Sequence, residues 1–391
     1  MNKHFYNDAL EDFPKNITDC VDSPCFLISE DAIKRNLKTL SYVKEKTGAK
    51  ILLALKAFAM HSTFPIIRQY LDGVCASGPI EARLGYEKFG KEVHTFAVAY
   101  SDEDIKRVIK YSNAVIFNSS GQLKRYGRFA LDKDKKLEIG LRVNPGHSEV
   151  KTKLYNTTLP GSRLGVLPED IVEEDLELVD GLHFHALCEQ NAESLVVVLK
   201  EFEKRYGKYI KGMKWVNFGG GHHITRQDYN IELLIRTVND FKRKYEVQVH
   251  LEPGEAVALN AGVLVSTVLD IKKNKKNIAI LDTSAEAHMP DVLAQPYRPN
   301  IIGAGKPGEQ DYTYRLGGLT CLAGDVIGDY SFPNELKIGD RLVFLDMAHY
   351  SMVKTTMFNG VKHPSIALYS KESGRVKVVR RFGYEDYVNR L

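Results

Sequence analysis

Eight short apolar segments, strung along residues 51–252 and separated by stretches of helical periodicity, restrict this chain more than any other feature. They are 51–58, 73–77, 93–97, 114–118, 137–144, 181–185, 215–219 and 247–252. Runs this short and this apolar read as strands buried on both faces, the pattern of a parallel sheet. Between them, 102–111, 192–206 and 231–245 carry apolar residues at helical spacing. Ahead of them, Ser29 is a candidate cap for a helix running to about Lys46, with Ile33, Leu37, Leu40 and Val43 on one face. Eight β-α units in this length predict a closed (β/α)8 barrel. A doubly wound open sheet competes, because periodicity does not report closure.

Past residue 260 the rhythm changes. Segments 263–271, 277–282, 314–321, 340–346, 365–369 and 376–381 read as strands with Gly, Pro and Asn between them, and long helical patterns stop. The expected organisation is therefore a barrel over residues 26–262. Residues 1–25 and 263–391 would together form an all-β, sandwich- or barrel-like domain. A length of 391 residues suits two domains.

Composition excludes several classes. The formal charge is +4, and no Lys/Arg block interleaves with aromatics, so nothing points to nucleic acid. The five cysteines are an odd count without a C-x-x-C pair, which argues against a disulfide framework or a thiolate zinc site and suits reduced thiols in the cytoplasm. The polar start, Met1–Asp8, lacks the apolar core of a signal peptide, and no run approaches the roughly 20 apolar residues of a membrane span.

In a barrel, chemistry gathers at the C-terminal strand ends. Here those positions carry Lys56, Ser77, Asn118, Asn144, His185, Gly219-Gly220-Gly221 and Glu252. Lys56 admits two readings: an amine snorkelling to solvent, or a desolvated one poised for Schiff-base chemistry. The glycine run after the seventh strand is either a flexible turn or an anion cradle. Glu252 is either a solvated carboxylate or the partner of a protonated heterocyclic nitrogen. His183, His222 and His223 raise the question of zinc, but their spacing lacks an acidic third ligand.

A strand-one lysine, a strand-six Phe184-His185, a strand-seven glycine triplet and a strand-eight Glu252-Pro253-Gly254 together resemble the fold-type III pyridoxal phosphate decarboxylases, the ornithine and diaminopimelate decarboxylase group. Gly181–Glu189, Trp215–His223, Leu251–Ala256, Glu286–Asp291, Thr320–Asp325 and Phe358-Asn359-Gly360 are similar to the carboxynorspermidine/carboxyspermidine branch of that family. The resemblance implies an alanine-racemase-like barrel, pyridoxal 5'-phosphate as cofactor, and decarboxylation of a carboxylated triamine in bacterial polyamine synthesis.

By position, it implies that Lys56 holds the cofactor covalently, His185 stacks on its ring, and the amides of Gly219, Gly220 and Gly221 bind its phosphate. Glu252 would pair with the ring nitrogen, Tyr350 with the phosphate, and Cys321 would protonate the substrate carbon. In the family that cysteine comes from the second subunit, so a homodimer with shared active sites is implied.

Two departures stand out. Ornithine and diaminopimelate decarboxylases carry arginine after Glu-Pro-Gly, where this chain has Glu255, and relatives acting on shorter substrates often carry an acid where it has Leu322. Glu255, Asp291 and Asp325 are thus expected to line the pocket for a substrate bearing several ammonium groups. Arg142 resembles an arginine on the fifth strand across the group, without an evident role. The rival expectations are a decarboxylase of another basic amino acid such as diaminopimelate, and a non-catalytic homologue that only carries the cofactor or binds partners.

Overall fold

The computed structural model describes residues 10–391, and the polar segment Met1–Asp8 lies outside them. The chain divides into two compact units, one of residues 35–257 and one formed by residues up to 34 together with 258–391. Strand β1 (Cys25–Ser29) opens the second unit; β2 (Lys50–Ala54), β3 (Gly73–Ala76), β4 (Glu92–Phe96), β5 (Ala114–Phe117), β6 (Glu138–Arg142), β7 (Gly181–His183), β8 (Trp215–Asn217) and β9 (Gln248–Leu251) make the first. These eight pair in parallel and in sequence order, and β9 pairs back onto β2. The barrel is closed, which decides against the open sheet.

What fills it is a large-on-small arrangement. Trp215 lies against Ala114 and Ile116 in the bore, and a Cβ on Gly181 would fall 2.1 Å from its ring. Only glycine on β7 leaves room for the indole. The indole N–H donates to Glu138 Oε2 at 2.9 Å, so the one polar atom of the plug is paired. The outer helices follow the sequence signals. Asp102–Tyr111 begins at a Ser101 capping box with Asp104, Ile231–Tyr245 is capped by Asn230, and Ala192–Ile210 runs one turn beyond its expected end. The helix Glu30–Thr47 buries Ile33, Leu37, Leu40 and Val43 completely.

The second unit is a mostly antiparallel sheet. It is built from β1, β10 (Gly262–Asn274), β11 (Lys276–Leu281), β12 (Tyr312–Gly317), β13 (Val326–Phe332), β14 (Arg341–Phe344), β15 (Ser365–Ser370) and β16 (Arg375–Arg380). The order is β13-β12-β11-β10-β1-β15-β16, with β14 also on β10. Residues 26–34, expected with the barrel, sit here because β1 is hydrogen-bonded between β10 and β15. Alternate residues of four strands (Cys25 and Leu27, Val263 and Val265, Val343 and Leu345, Ala367 and Tyr369) form one core with Phe13, Ile17 and Val21.

Two boundaries differ from the sequence reading. Strand β12 stops at Gly317, so Cys321 lies in the following loop, and β13 was hidden by Gly324, Asp325, Gly328 and Asp329, which broke its alternation. Among the described residues, no helix is long and apolar enough to cross a membrane.

Candidate active site

Lys56 follows β2 rather than ending it. Leu55 N–H still bonds Cys75 C=O at 3.1 Å, but Ala57 and Phe58 N–H both turn back to Ala54 C=O. That turn buries Leu55, Ala57 and Phe58 and leaves the lysine side chain exposed. Of the two readings, the solvent-reaching amine describes its surroundings. Lys56 makes no ion pair among the described residues, yet its charge acts on Glu252, His183, His185 and Cys75.

Glu252 immediately follows β9, with a side chain 12% exposed. Its Oε1 accepts from Asn217 Nδ2 at 2.7 Å, and Oε2 lies 3.6 Å from His183 Nε2, ion-pair range but too long for a hydrogen bond. Burial pushes its carboxyl up, but His183, Asn217 and Lys56 outweigh burial and bring it down to about 2. Burial also holds His183 below its ordinary value, so the ring is neutral near pH 7. The Asn217 amide and the Lys56 charge then support the ionised carboxylate. A β3 thiol, Cys75, shares the cluster; burial first and Glu252 next raise it well above the ordinary range, so it stays protonated.

The glycine run is packed rather than loose. A Cβ on Gly219 would meet Phe184 O at 2.5 Å, on Gly220 Glu252 O at 2.4 Å, and on Gly221 Leu187 O at 2.0 Å. Gly219 and Gly221 also take φ of +70° and +84°. Two of the three expected amide donors are already committed: Gly219 N–H to Asn217 Oδ1 at 2.8 Å, and Gly220 N–H to His185 Nδ1 at 2.9 Å. Gly221 N–H makes no hydrogen bond among the described residues and remains the donor of the run. An amide can only donate, so His185 Nδ1 is an acceptor and the neutral ring carries its proton on Nε2. Burial and the nearby cations hold His185 far below its ordinary value. Thr157 Oγ1 and Arg142 Nη2 donate to His185 C=O at 2.6 and 3.4 Å.

Arg142 is buried, with its guanidinium 4.5 Å from the Phe96 ring, and burial lowers it to about 10. Glu255 lies beside His223, Oε2 to Nε2 3.1 Å, and His223 Nδ1 is 3.3 Å from Arg226 Nη1. The remaining strand-end residues are structural: Asn118 holds Arg163 C=O and Gly165 N–H of the loop after β6, Asn144 accepts from Gly146 N–H, and Ser77 N–H donates to Glu81. Among the described residues no group of three side chains is arranged to hold a metal ion.

The other expected site residues belong to the sheet unit. Cys321 is exposed in the loop after β12, its N–H held by Asn359 Oδ1 at 2.7 Å. Asn359 takes φ +56° and Tyr350 +51°, conformations few non-glycine residues adopt. The Tyr350 ring lies 5.3 Å from Lys354 Nζ, which also pairs with both oxygens of Asp291 at 2.6 and 2.9 Å.

Asp325 corrects an expectation. It is buried, and its carboxylate accepts from Ser284 Oγ, Ala285 N–H, Glu286 N–H, Thr320 N–H and Thr320 Oγ1. Those bonds cap the short helix Ala285–His288 and brace the Cys321 loop, so Asp325 builds the loop and has no lone pair left for a substrate. The acidic lining of three carboxylates is not assembled within either unit. Sequence reasoning missed Asn217 and Cys75, because an asparagine and a cysteine inside apolar strand runs give no separate signal.

The barrel-end residues fit pyridoxal phosphate. An ionised, largely buried carboxylate suits a protonated ring nitrogen, an exposed lysine amine suits a carbonyl, and the uncommitted Gly221 N–H suits an anion.

Comparison with known proteins agrees. The family model described as "Pyridoxal-dependent decarboxylase, C-terminal sheet domain" matches residues 20–348. The carboxynorspermidine/carboxyspermidine decarboxylase of Campylobacter jejuni is 44% identical, covering 94% of this chain and 98% of its own length. The carboxyaminopropylagmatine decarboxylase of Synechocystis is 43% identical over 94% and 95%. The crystal structure of the Campylobacter jejuni carboxynorspermidine decarboxylase complexed with norspermidine superposes with a TM-score of 0.87 at 43% identity, covering 95% of this chain and 100% of that one.

Proposed function

Because this chain belongs to the pyridoxal-dependent decarboxylases, we propose that it removes the α-carboxylate of carboxyspermidine or carboxynorspermidine, yielding spermidine or norspermidine. The observation that carries the chemistry is Glu252, ionised and held by Asn217 beside the Lys56 charge. The substrate class rests on the name and near-complete overlap of the Campylobacter jejuni relative.

When bound, pyridoxal phosphate supplies an electron sink for the pair left when the Cα–carboxyl bond breaks. Lys56 is the amine that would hold the cofactor, and its exposure leaves it accessible. Glu252, held ionised, would keep a proton on the cofactor's ring nitrogen, deepening that sink. His185, fixed by Gly220 N–H, presents a neutral ring face for stacking, and Gly221 N–H is the amide left for the phosphate. Carbon dioxide leaves, and a proton replaces it at Cα. We assign that proton to Cys321 Sγ, supplied by the partner subunit of a homodimer, with the thiolate regaining a proton from water. The exposed, doubly braced loop supports this role.

Glu255 is the acid assigned to a substrate ammonium, and Asp291 takes part by exchanging its Lys354 partner. In this reading the barrel binds the cofactor, and the protein works in the cytoplasm. A second reading, decarboxylation of carboxyaminopropylagmatine, has the support of nearly equal identity to the Synechocystis enzyme. Carbon dioxide release from the three acids in parallel tests the choice. Turnover fastest with either carboxylated triamine is expected, and turnover confined to the agmatine derivative or to diaminopimelate would overturn it. One methylene separates the two triamines, so both should be accepted within about 100-fold.

A further inference from the structure

We propose that Asn217 and His183 are positioning residues that act on the cofactor's ring nitrogen through Glu252, Asn217 by donating to one carboxylate oxygen and His183 by facing the other at 3.6 Å. The inference rests on the assignment of Glu252 to that nitrogen. Asn217 is fully buried, and the polarity of its amide is fixed from outside: Gly219 N–H donates to Oδ1, so Nδ2 is the end that faces Glu252 Oε1. One side chain thereby ties the glycine turn to the carboxylate, and Glu252 N–H closes the loop on Gly219 C=O at 2.8 Å.

His183 approaches the other oxygen. Its side chain is 3% exposed, Nε2 lies 3.6 Å from Oε2, and neither ring nitrogen has a hydrogen-bond partner. Two orphaned polar atoms in a packed bore are costly, and the ionised group in ion-pair range of Nε2 is the carboxylate. Phe96 packs edge-on at 5.6 Å, and the same Phe96 ring carries the Arg142 guanidinium, so the imidazole has little freedom. The groups facing Glu252 are then Asn217 as a neutral donor, His183 as a neutral ring in ion-pair range, Cys75 as a thiol, and Lys56 and Arg142 as the cations whose charge reaches it. A neutral amide and a neutral imidazole hold the carboxylate's direction and charge without competing with the ring nitrogen for its proton.

The test uses holoenzyme loaded with pyridoxal phosphate carrying 15N in the ring. Nitrogen chemical shift is followed against pH, and the cofactor dissociation constant is measured alongside. The wild-type signal should stay that of a protonated nitrogen across neutral pH. Asn217→Leu removes the donor at similar size; its signal should titrate within that range, with the dissociation constant raised about 10-fold, equal to ~1.4 kcal/mol. His183→Leu should shift the signal in the same direction by less, and His183→Gln, which restores an N–H, should return it toward wild type. If Asn217→Leu does not fold, the two His183 variants decide. Signals in both leucine variants that match wild type would overturn the clamp, provided Glu252→Gln alters the signal. An unaltered signal in Glu252→Gln would instead remove the assignment on which the clamp rests.

Discussion

The barrel end and the sheet unit handle their carboxylates in opposite ways. Glu252 receives one hydrogen bond from Asn217 and leaves its second oxygen facing a neutral histidine at 3.6 Å, while Asp325 is enclosed by donors on both oxygens. The same contrast extends outward. His183 and His250 keep unpaired ring nitrogens in the bore, whereas Asp291 is gripped by Lys354 and the Cys321 loop by Asn359. A saturated carboxylate builds structure, and an unsaturated one retains capacity for a ligand. The difference separates a carboxylate with capacity for a ligand from one spent on scaffolding.

The contrast breaks first at its two acids. Glu252→Gln is expected to lower kcat by about 100- to 1,000-fold in protein that is still folded, a loss that its stability cost does not explain. Asp325→Ala is expected to cost about 3 kcal/mol of stability, because several buried donors lose their acceptor at once. Urea titration beside single-turnover kinetics reads both. Exchanged outcomes, with Glu252→Gln unfolding and Asp325→Ala merely slow, would reverse the roles.

The distinction was only half legible in the chain. Strand-end placement pointed to Lys56, His185, the glycine run and Glu252, because barrel topology sorts residues by position. The helices at 102–111 and 231–245 were equally plain, since their caps and periodicity are local. Asp325 looked like a pocket acid because sequence does not show how many donors converge on a carboxylate. Likewise, the commitment of the Gly220 amide to His185 depends on strands β7 and β8 lying side by side, a nonlocal fact. Lys56 read as part of its strand because the turn that ends β2 is made of apolar residues.

Acid should act on the barrel before the sheet. Burial lowers His222 to about 4 and His250 to about 2, and holds His183 and His185 below their ordinary value. Their unfolded forms titrate near 6.5, so the unfolded state binds more protons below that pH. Barrel stability is therefore full above about pH 6.5 and falls as pH drops toward the folded values. The slope is about 1.4 kcal/mol per pH unit for each such histidine, added to the loss from Glu252 between its ordinary 4.5 and about 2. In the sheet unit His288, lowered to about 4, and the half-buried His363 contribute in the same sense, but with fewer groups. Hydrogen exchange, corrected for intrinsic rates, should show protection lost from β2–β9 at a higher pH than from β10–β15. Loss in the reverse order contradicts the accounting.

The smallest effect is at Glu255. Glu255→Gln should raise KM for the carboxylated triamine about 10-fold, ~1.4 kcal/mol, with cofactor content unchanged. Equal loss of both would return Glu255 to a structural role beside His223.

The most direct measurement is borohydride reduction of the purified, cofactor-loaded protein followed by peptide mass mapping. A pyridoxyl group fixed to the peptide containing Lys56, and absent from Lys56→Ala, is the expected result. A label on another lysine, or none on a protein that still releases carbon dioxide, would contradict the assignment of the barrel end as the active site.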